Sequence, residues 1–156
     1  MNRKRIALFF VLILLVTYSA FSKDLAKSQV TTKSLRGLLN KDYYNNSKIN
    51  DKDFLLIEQD DITFLILVES NGFLLGFTTA WDKGNNISDA RLFKILNSWN
   101  SDNFLTSTFY EDSTIYMQYT LCFDGGINSE NFNSTLEWLF WNANEFEKYL
   151  AEEDAI

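Results

Sequence analysis

Residues 114–132 read TIYMQYTLCFDGGINSENF, and they decide the fold because a strand, a corner and a helix start follow one another directly. Ile115, Met117, Tyr119, Leu121 and Phe123 fall on one face of an extended chain, while Tyr116, Gln118, Thr120 and Cys122 fall on the other. That alternation predicts a half-buried strand. Gly125 and Gly126 come next. Paired glycines ahead of a helix either cradle a phosphate on backbone N–H groups or turn a corner. Asp124 and Glu130 already place negative charge where an anion would sit, and no Lys or Arg lies between Lys94 and Lys148. Asn128 can accept from the first helical turn, and Ile127 and Phe132 are spaced as the ends of a hydrophobic staple. The corner is expected to be structural.

Downstream, the spacing predicts a helix from about Ser129 to Leu150 and then an acidic tail, 151–156. Phe132, Leu136, Leu139, Phe140, Ala143, Phe146 and Leu150 recur at steps of three and four and form its core stripe. Trp138, Trp141 and Tyr149 project from the other side. Either another element covers them (the helix at 34–40 or the N-terminal tether), or they form a partner-binding surface.

Upstream, FLTSTFY (104–110) pairs with the strand at 114–123 across Glu111, Asp112 and Ser113. The helix 88–100 opens on Ser88 as N-cap, with Asp89 in its first turn and Leu92, Phe93, Ile95, Leu96 and Trp99 on one arc. Before it come three strands, 53–59, 62–69 and 73–81, the last two joined by Ser70-Asn71-Gly72, a strong hairpin signal. ITFLILVE is apolar on both faces and is expected to be a buried central strand. SLRGLLN (34–40) is a short helix with Ser34 as cap, 41–51 a loop, and 23–33 a polar tether. The order α-β-β-β-α-β-β-α defines an α+β fold, an antiparallel sheet packed by helices, with one domain at 34–150.

The chain begins MNRKRIALFFVLILLVTYSAFSKD. Arg3, Lys4 and Arg5 precede the apolar run Ile6 to Ala20, and small residues flank cleavage points after Ser22 or Ala20. This is the layout of a secretory signal peptide over 1–22, shorter and more polar than a spanning helix requires. A periplasmic or secreted product is expected, with no membrane attachment after cleavage; a retained anchor is the rival reading. Cleavage leaves 11 Lys and Arg against 21 Asp and Glu. Such acidity repels nucleic acid and anionic lipid.

Histidine is absent, which removes Ser-His-Asp and Cys-His arrangements and most zinc sites. Cys122, the single cysteine, has no basic neighbour and is expected to be a small buried residue. Phosphate-loop, dinucleotide and nucleophile-elbow motifs do not occur. Asp82, Asn85 and Asn86 miss the spacing of a calcium loop. No catalytic residue, cofactor or metal is therefore assigned. Asn45, Asn86 and Asn133 open N-x-[ST] triplets, which matter only in a glycosylating host.

Three features together carry a family resemblance: ILNSWN with Asn97 and Asn100, the following hairpin, and the Asp-Gly-Gly corner leading through Asn128 to Phe132. Over 88–150 this succession resembles the YbjN-domain family of bacterial proteins. The resemblance implies a fold like that of type III secretion chaperones, a sensory or regulatory role without catalysis or cofactor, and a homodimer as one arrangement. The signal peptide departs from the usual cytosolic members. The leading expectation is an exported protein acting through an unidentified protein partner or itself, by the aromatic back of the last helix or an exposed sheet face. A carrier of a small apolar ligand between sheet and helices is the second reading. A hydrolase using Asp124 and Glu130 is the third.

Overall fold

The computed structural model describes residues 24–69, 72–103 and 105–156. The signal-peptide assignment at 1–22, Ser70 and Asn71 of the predicted hairpin, and Phe104 lie outside the described residues. The chain runs β1 (Asp24–Leu25), a short 3-10 turn at Lys27–Gln29, α1 (Thr32–Arg36), α2 (Lys41–Asn45) and β2 (Ser47–Ile49). It continues β3 (Leu55–Gln59), β4 (Ile62–Val68), β5 (Leu74–Asp82) and α3 (Asp89–Asp102). It ends β6 (Ser107–Glu111), β7 (Thr114–Cys122), β8 (Ile127–Asn128) and α4 (Ser129–Glu152). Six strands form one antiparallel sheet in the order β2-β3-β4-β5-β7-β6, and β1 pairs with β8 in a separate ribbon. The protein is α+β, as the sequence predicts.

Two hairpins close on two-residue turns. Asp60 and Asp61 join β3 to β4, and Asp112 and Ser113 join β6 to β7, all with positive φ. Short polar side chains tolerate that conformation, and it matches the twist of the flanking strands. The core lies between one sheet face and α4. Phe64 meets Phe140 edge-on at 5.1 Å, Phe77 meets Phe132 at 6.3 Å, and Trp81 meets Phe146 at 5.2 Å. Every residue of the predicted α4 stripe is buried. α3 begins as expected, with Ser88 accepting from Arg91 N, and lies against β6.

The N-terminal third departs from the sequence reading. Residues 24–33, expected as part of a tether, hold β1, the 3-10 turn and the start of α1. Backbone pairing of Asp24 with Asn128 and Leu25 with Ile127 outweighs their polar surroundings. Thr31, not Ser34, caps α1; Ser34 lies three residues on, and its hydroxyl accepts from Thr31 N at 2.8 Å. The helix stops at Arg36 instead of continuing to 40. The expected loop 41–51 contains α2 and β2, because Tyr43 is buried against Phe140 at 5.7 Å. Burial of one aromatic side chain there overrides a polar composition.

Burial holds the Tyr43 phenol above its ordinary value, and Glu137 adds to the effect. A group that holds its proton more tightly when folded stabilises the fold below its unfolded value. That contribution is lost as pH rises through the folded value. In urea titrations from about pH 9 to 11, the protein is expected to lose more stability than its Tyr43→Phe variant. Parallel curves would remove Tyr43 as the cause.

The tail 151–156 is docked. Ala155 is fully buried and its carbonyl accepts from Gly84 N at 2.8 Å, while Arg91 donates to the Glu153 carbonyl at 3.0 Å.

Candidate functional site

The helices cover only one face of the six-stranded sheet. Its other face is open among the described residues, and the strand registers order it into rows. Lys48, Leu56, Leu65, Thr78, Gln118 and Ser107 form the central row across all six strands. Leu67, Gly76 and Thr120 form the next, with Phe54 on the same face, and Leu74 with Cys122 the one beyond. On the other side, Ala80, Tyr116 and Phe109 align. Leu56, Leu65, Leu67, Leu74 and Phe54 are all partly exposed, an apolar field in the middle strands. Two carboxylates flank it, Glu58 and Glu69, whose side chain lies across Gly76, and Asp82 and Glu111 lie at the far end of the same face, beyond Ala80, Tyr116 and Phe109. Among the described residues, Lys48 is the only lysine or arginine at a strand position on this face.

This overturns two expectations. β4 is central in the sheet but is not buried on both faces: Thr63 is exposed and Leu65 and Leu67 are half-exposed. Cys122 is exposed, not buried, because it belongs to the uncovered face of β7. The clue lay in element lengths, since one long helix and one of medium length cannot cover both faces of a six-stranded sheet.

A helix-borne side chain engages one residue at each edge of the sheet. In β6, alternate residues point their backbone groups away from β7, and Thr108 is one of them. Asn100 of α3 takes both groups: its Oδ1 accepts from Thr108 N at 2.8 Å and its Nδ2 donates to Thr108 O at 2.9 Å. At the opposite edge, Arg36 of α1 donates to Ser47 O and Ser47 Oγ, each at 3.0 Å, and stacks on Tyr44. An unpaired edge invites another strand. Here the amide of Asn100 stands in for that strand.

The other family-motif residues also have structural posts. Asn128 caps α4 by accepting from Asn131 N at 2.7 Å, and Phe132 is fully buried. Gly126 adopts φ +94° beside the Leu25 carbonyl, while nothing lies within 4 Å of a side chain built at Gly125. Asn97 is exposed. Asp124 forms an ion pair with Lys27, and both it and Glu130 are exposed.

The three aromatic residues opposite the core stripe do not form one surface. Trp138 packs on Tyr119 at 5.6 Å and Tyr149 on Trp99 at 5.4 Å, so both are half-buried. Trp141 alone is open, at 59% exposure. Neither α1 nor the tether residues cover them; β7 and α3 do. Asn133 is engaged by Asn40 N and donates to Leu38 O at 2.9 Å, so its amide is occupied, whereas Asn45 and Asn86 are exposed.

The space between sheet and α4 is filled by Phe64, Phe77, Phe132, Phe140 and Phe146, each buried. A cleft of about 790 Å³ is instead an open surface groove between residues 37–46 and α4, lined by polar groups including Asn40, Asp42, Gln59 and Glu137. Among the described residues, no His, Cys, Asp or Glu cluster is placed to hold a metal, and no helix is long and apolar enough to cross a membrane.

Comparison with known proteins agrees with this architecture. A family model, YbjN, "Putative bacterial sensory transduction regulator", matches residues 45–152, more than half of the chain. No curated protein matches. Among solved structures, the chain is similar to "YbjN, a putative transcription regulator from E. coli", with a TM-score of 0.51 and 16% sequence identity. The superposition covers 78% of this chain and 87% of that one, a likeness of fold. The chain belongs to the YbjN family.

Proposed function

We propose that the protein is an exported, non-enzymatic member of this family that acts by protein–protein contact in a regulatory or chaperone-like role. One observation carries the reading: an apolar field on an uncovered sheet face, in a sheet whose two edges are each engaged by a helix side chain at Ser47 and at Thr108. Arg36 and Asn100 hinder strand addition at Ser47 and Thr108, and the face offers the broader apolar surface for docking. The filled core supports this reading over an apolar-ligand carrier. The family description, a regulator, agrees in kind.

Export predicts a mature protein that begins at Lys23 or Phe21, read by mass spectrometry of the exported fraction. A photo-crosslinker at residue 65 should then capture protein in that fraction. Leu65→Asp with Leu67→Asp should abolish function-dependent crosslinks from a second face position, residue 118, with the circular dichroism spectrum unchanged. Loss of the same crosslinks in Trp141→Ala, but not in the leucine variant, would move the site to α4 and overturn this assignment.

A further inference from the structure

Resting on that docking reading, we infer the chemistry of the occupant: a polypeptide segment that presents an apolar strip flanked by lysine or arginine. The argument is charge complementarity. The apolar field of Phe54, Leu56, Leu65, Leu67 and Leu74 is flanked by Glu58 and Glu69, with Asp82 and Glu111 farther along the same face; among the described residues Lys48 is the only lysine or arginine at a strand position there. The chain as a whole is acidic, with a net charge of −7. A second copy would bring the same carboxylates to the same rim, where like charges oppose approach and dock only at a cost. A basic, apolar segment gains on both counts. Its leucines replace water over the field, and its cations are steered by the rim before contact.

Gly76 gives the site a shape as well as a charge. It occupies the middle of the face between Leu67 and Thr120, and its missing side chain leaves a dent that only the Glu69 carboxylate crosses. A cation from the occupant that draws Glu69 aside would open the dent to an apolar side chain. Charge recognition and apolar burial therefore meet at one position.

Cys122 supplies the probe, since it is the single cysteine and is exposed beside Leu74 on this face. A solvatochromic label on Cys122 of the exported protein is titrated with an amphipathic lysine/leucine peptide and with its glutamate/leucine counterpart. The lysine peptide should shift the emission to the blue with an affinity that falls as salt rises, and the glutamate peptide should not. Glu58→Lys with Glu69→Lys should weaken the lysine peptide by roughly tenfold. Glu137→Lys with Glu152→Lys changes net charge equally but lies on α4, away from the face, and should leave affinity within about twofold.

Equal weakening by both pairs would reduce the effect to net charge and overturn the proposal. Equal binding of both peptides, lost in Leu65→Asp, would overturn the basic partner while leaving the face as a docking surface. Emission that depends on protein concentration alone would make the occupant a second copy. Emission already blue and unresponsive in the uncleaved full chain, but not in the exported form, would make it the chain's own residues 1–22. Either result overturns the proposal.

Discussion

Gly126→Ala should destabilise the protein by about 2–4 kcal/mol, while Gly125→Ala changes stability by no more than about 0.5 kcal/mol. The two residues are adjacent and identical, so composition cannot separate them. Gly126 holds φ +94°, where an L side chain is strained, and its added methyl would run into the Leu25 carbonyl. Relief requires β1 to leave β8, which exposes Ile127 and gives up the Asp24–Asn128 pairing. Gly125 has open space around it and no such backbone constraint. Urea denaturation of both variants measures the difference, and faster amide exchange at Leu25 and Ile127 in Gly126→Ala locates it. Equal losses in the two variants would show that the corner tolerates a side chain at either place.

Asn100→Ala should cost about 2–3 kcal/mol, because a part-buried donor and a part-buried acceptor lose their partners together. Thr108 N–H and C=O would both be orphaned, while the Thr108 hydroxyl, which donates to Asn100 Oδ1 at 3.0 Å, would be left with the Leu96 carbonyl at 3.5 Å. Asn100→Asp keeps the acceptor for Thr108 N but removes the donor to Thr108 O, so it should fall between the two. Asn97→Ala, at an exposed position three residues away, should stay within about 0.5 kcal/mol. Asn100→Ala should also associate: an uncovered β6 edge offers hydrogen bonds to a second molecule. Sedimentation of Asn100→Ala at rising concentration tests this. A variant as stable and as monodisperse as Asn97→Ala would refute the edge-closing role.

Periodicity carried the long elements because their burial is one-sided. The seven apolar positions of α4 and the alternate positions of β7 each face a single layer, so composition records the face directly. β4 misled for the same reason in reverse: Leu65 and Leu67 read as core although they face solvent. Hydropathy says that a side chain favours burial, and it does not say whether the chain itself supplies the cover. The short N-terminal elements were illegible because each is set by one distant partner. Leu25 needs Ile127, Tyr43 needs Phe140, and Arg36 needs Ser47. Asn100 was visible as part of the family motif, but its post at the edge of β6 follows only from the register of β6 with β7.

The strand order also determines how the chain is assembled in time. Within the large sheet, β2 with β3, β3 with β4, β4 with β5 and β6 with β7 are all joined by short local connections, and each pair can form on its own. The pairing of β5 with β7 is different: it runs from Leu74↔Cys122 to Asp82↔Thr114 and encloses α3 and β6. Loop-closure entropy within the sheet is concentrated in that step. Destabilising substitutions along this seam should slow folding, whereas those at the Asp60-Asp61 turn act on a hairpin that can form early and late alike. The register therefore predicts that joining β2–β5 to the β6–β7 hairpin is the slow step by which the open face comes into being.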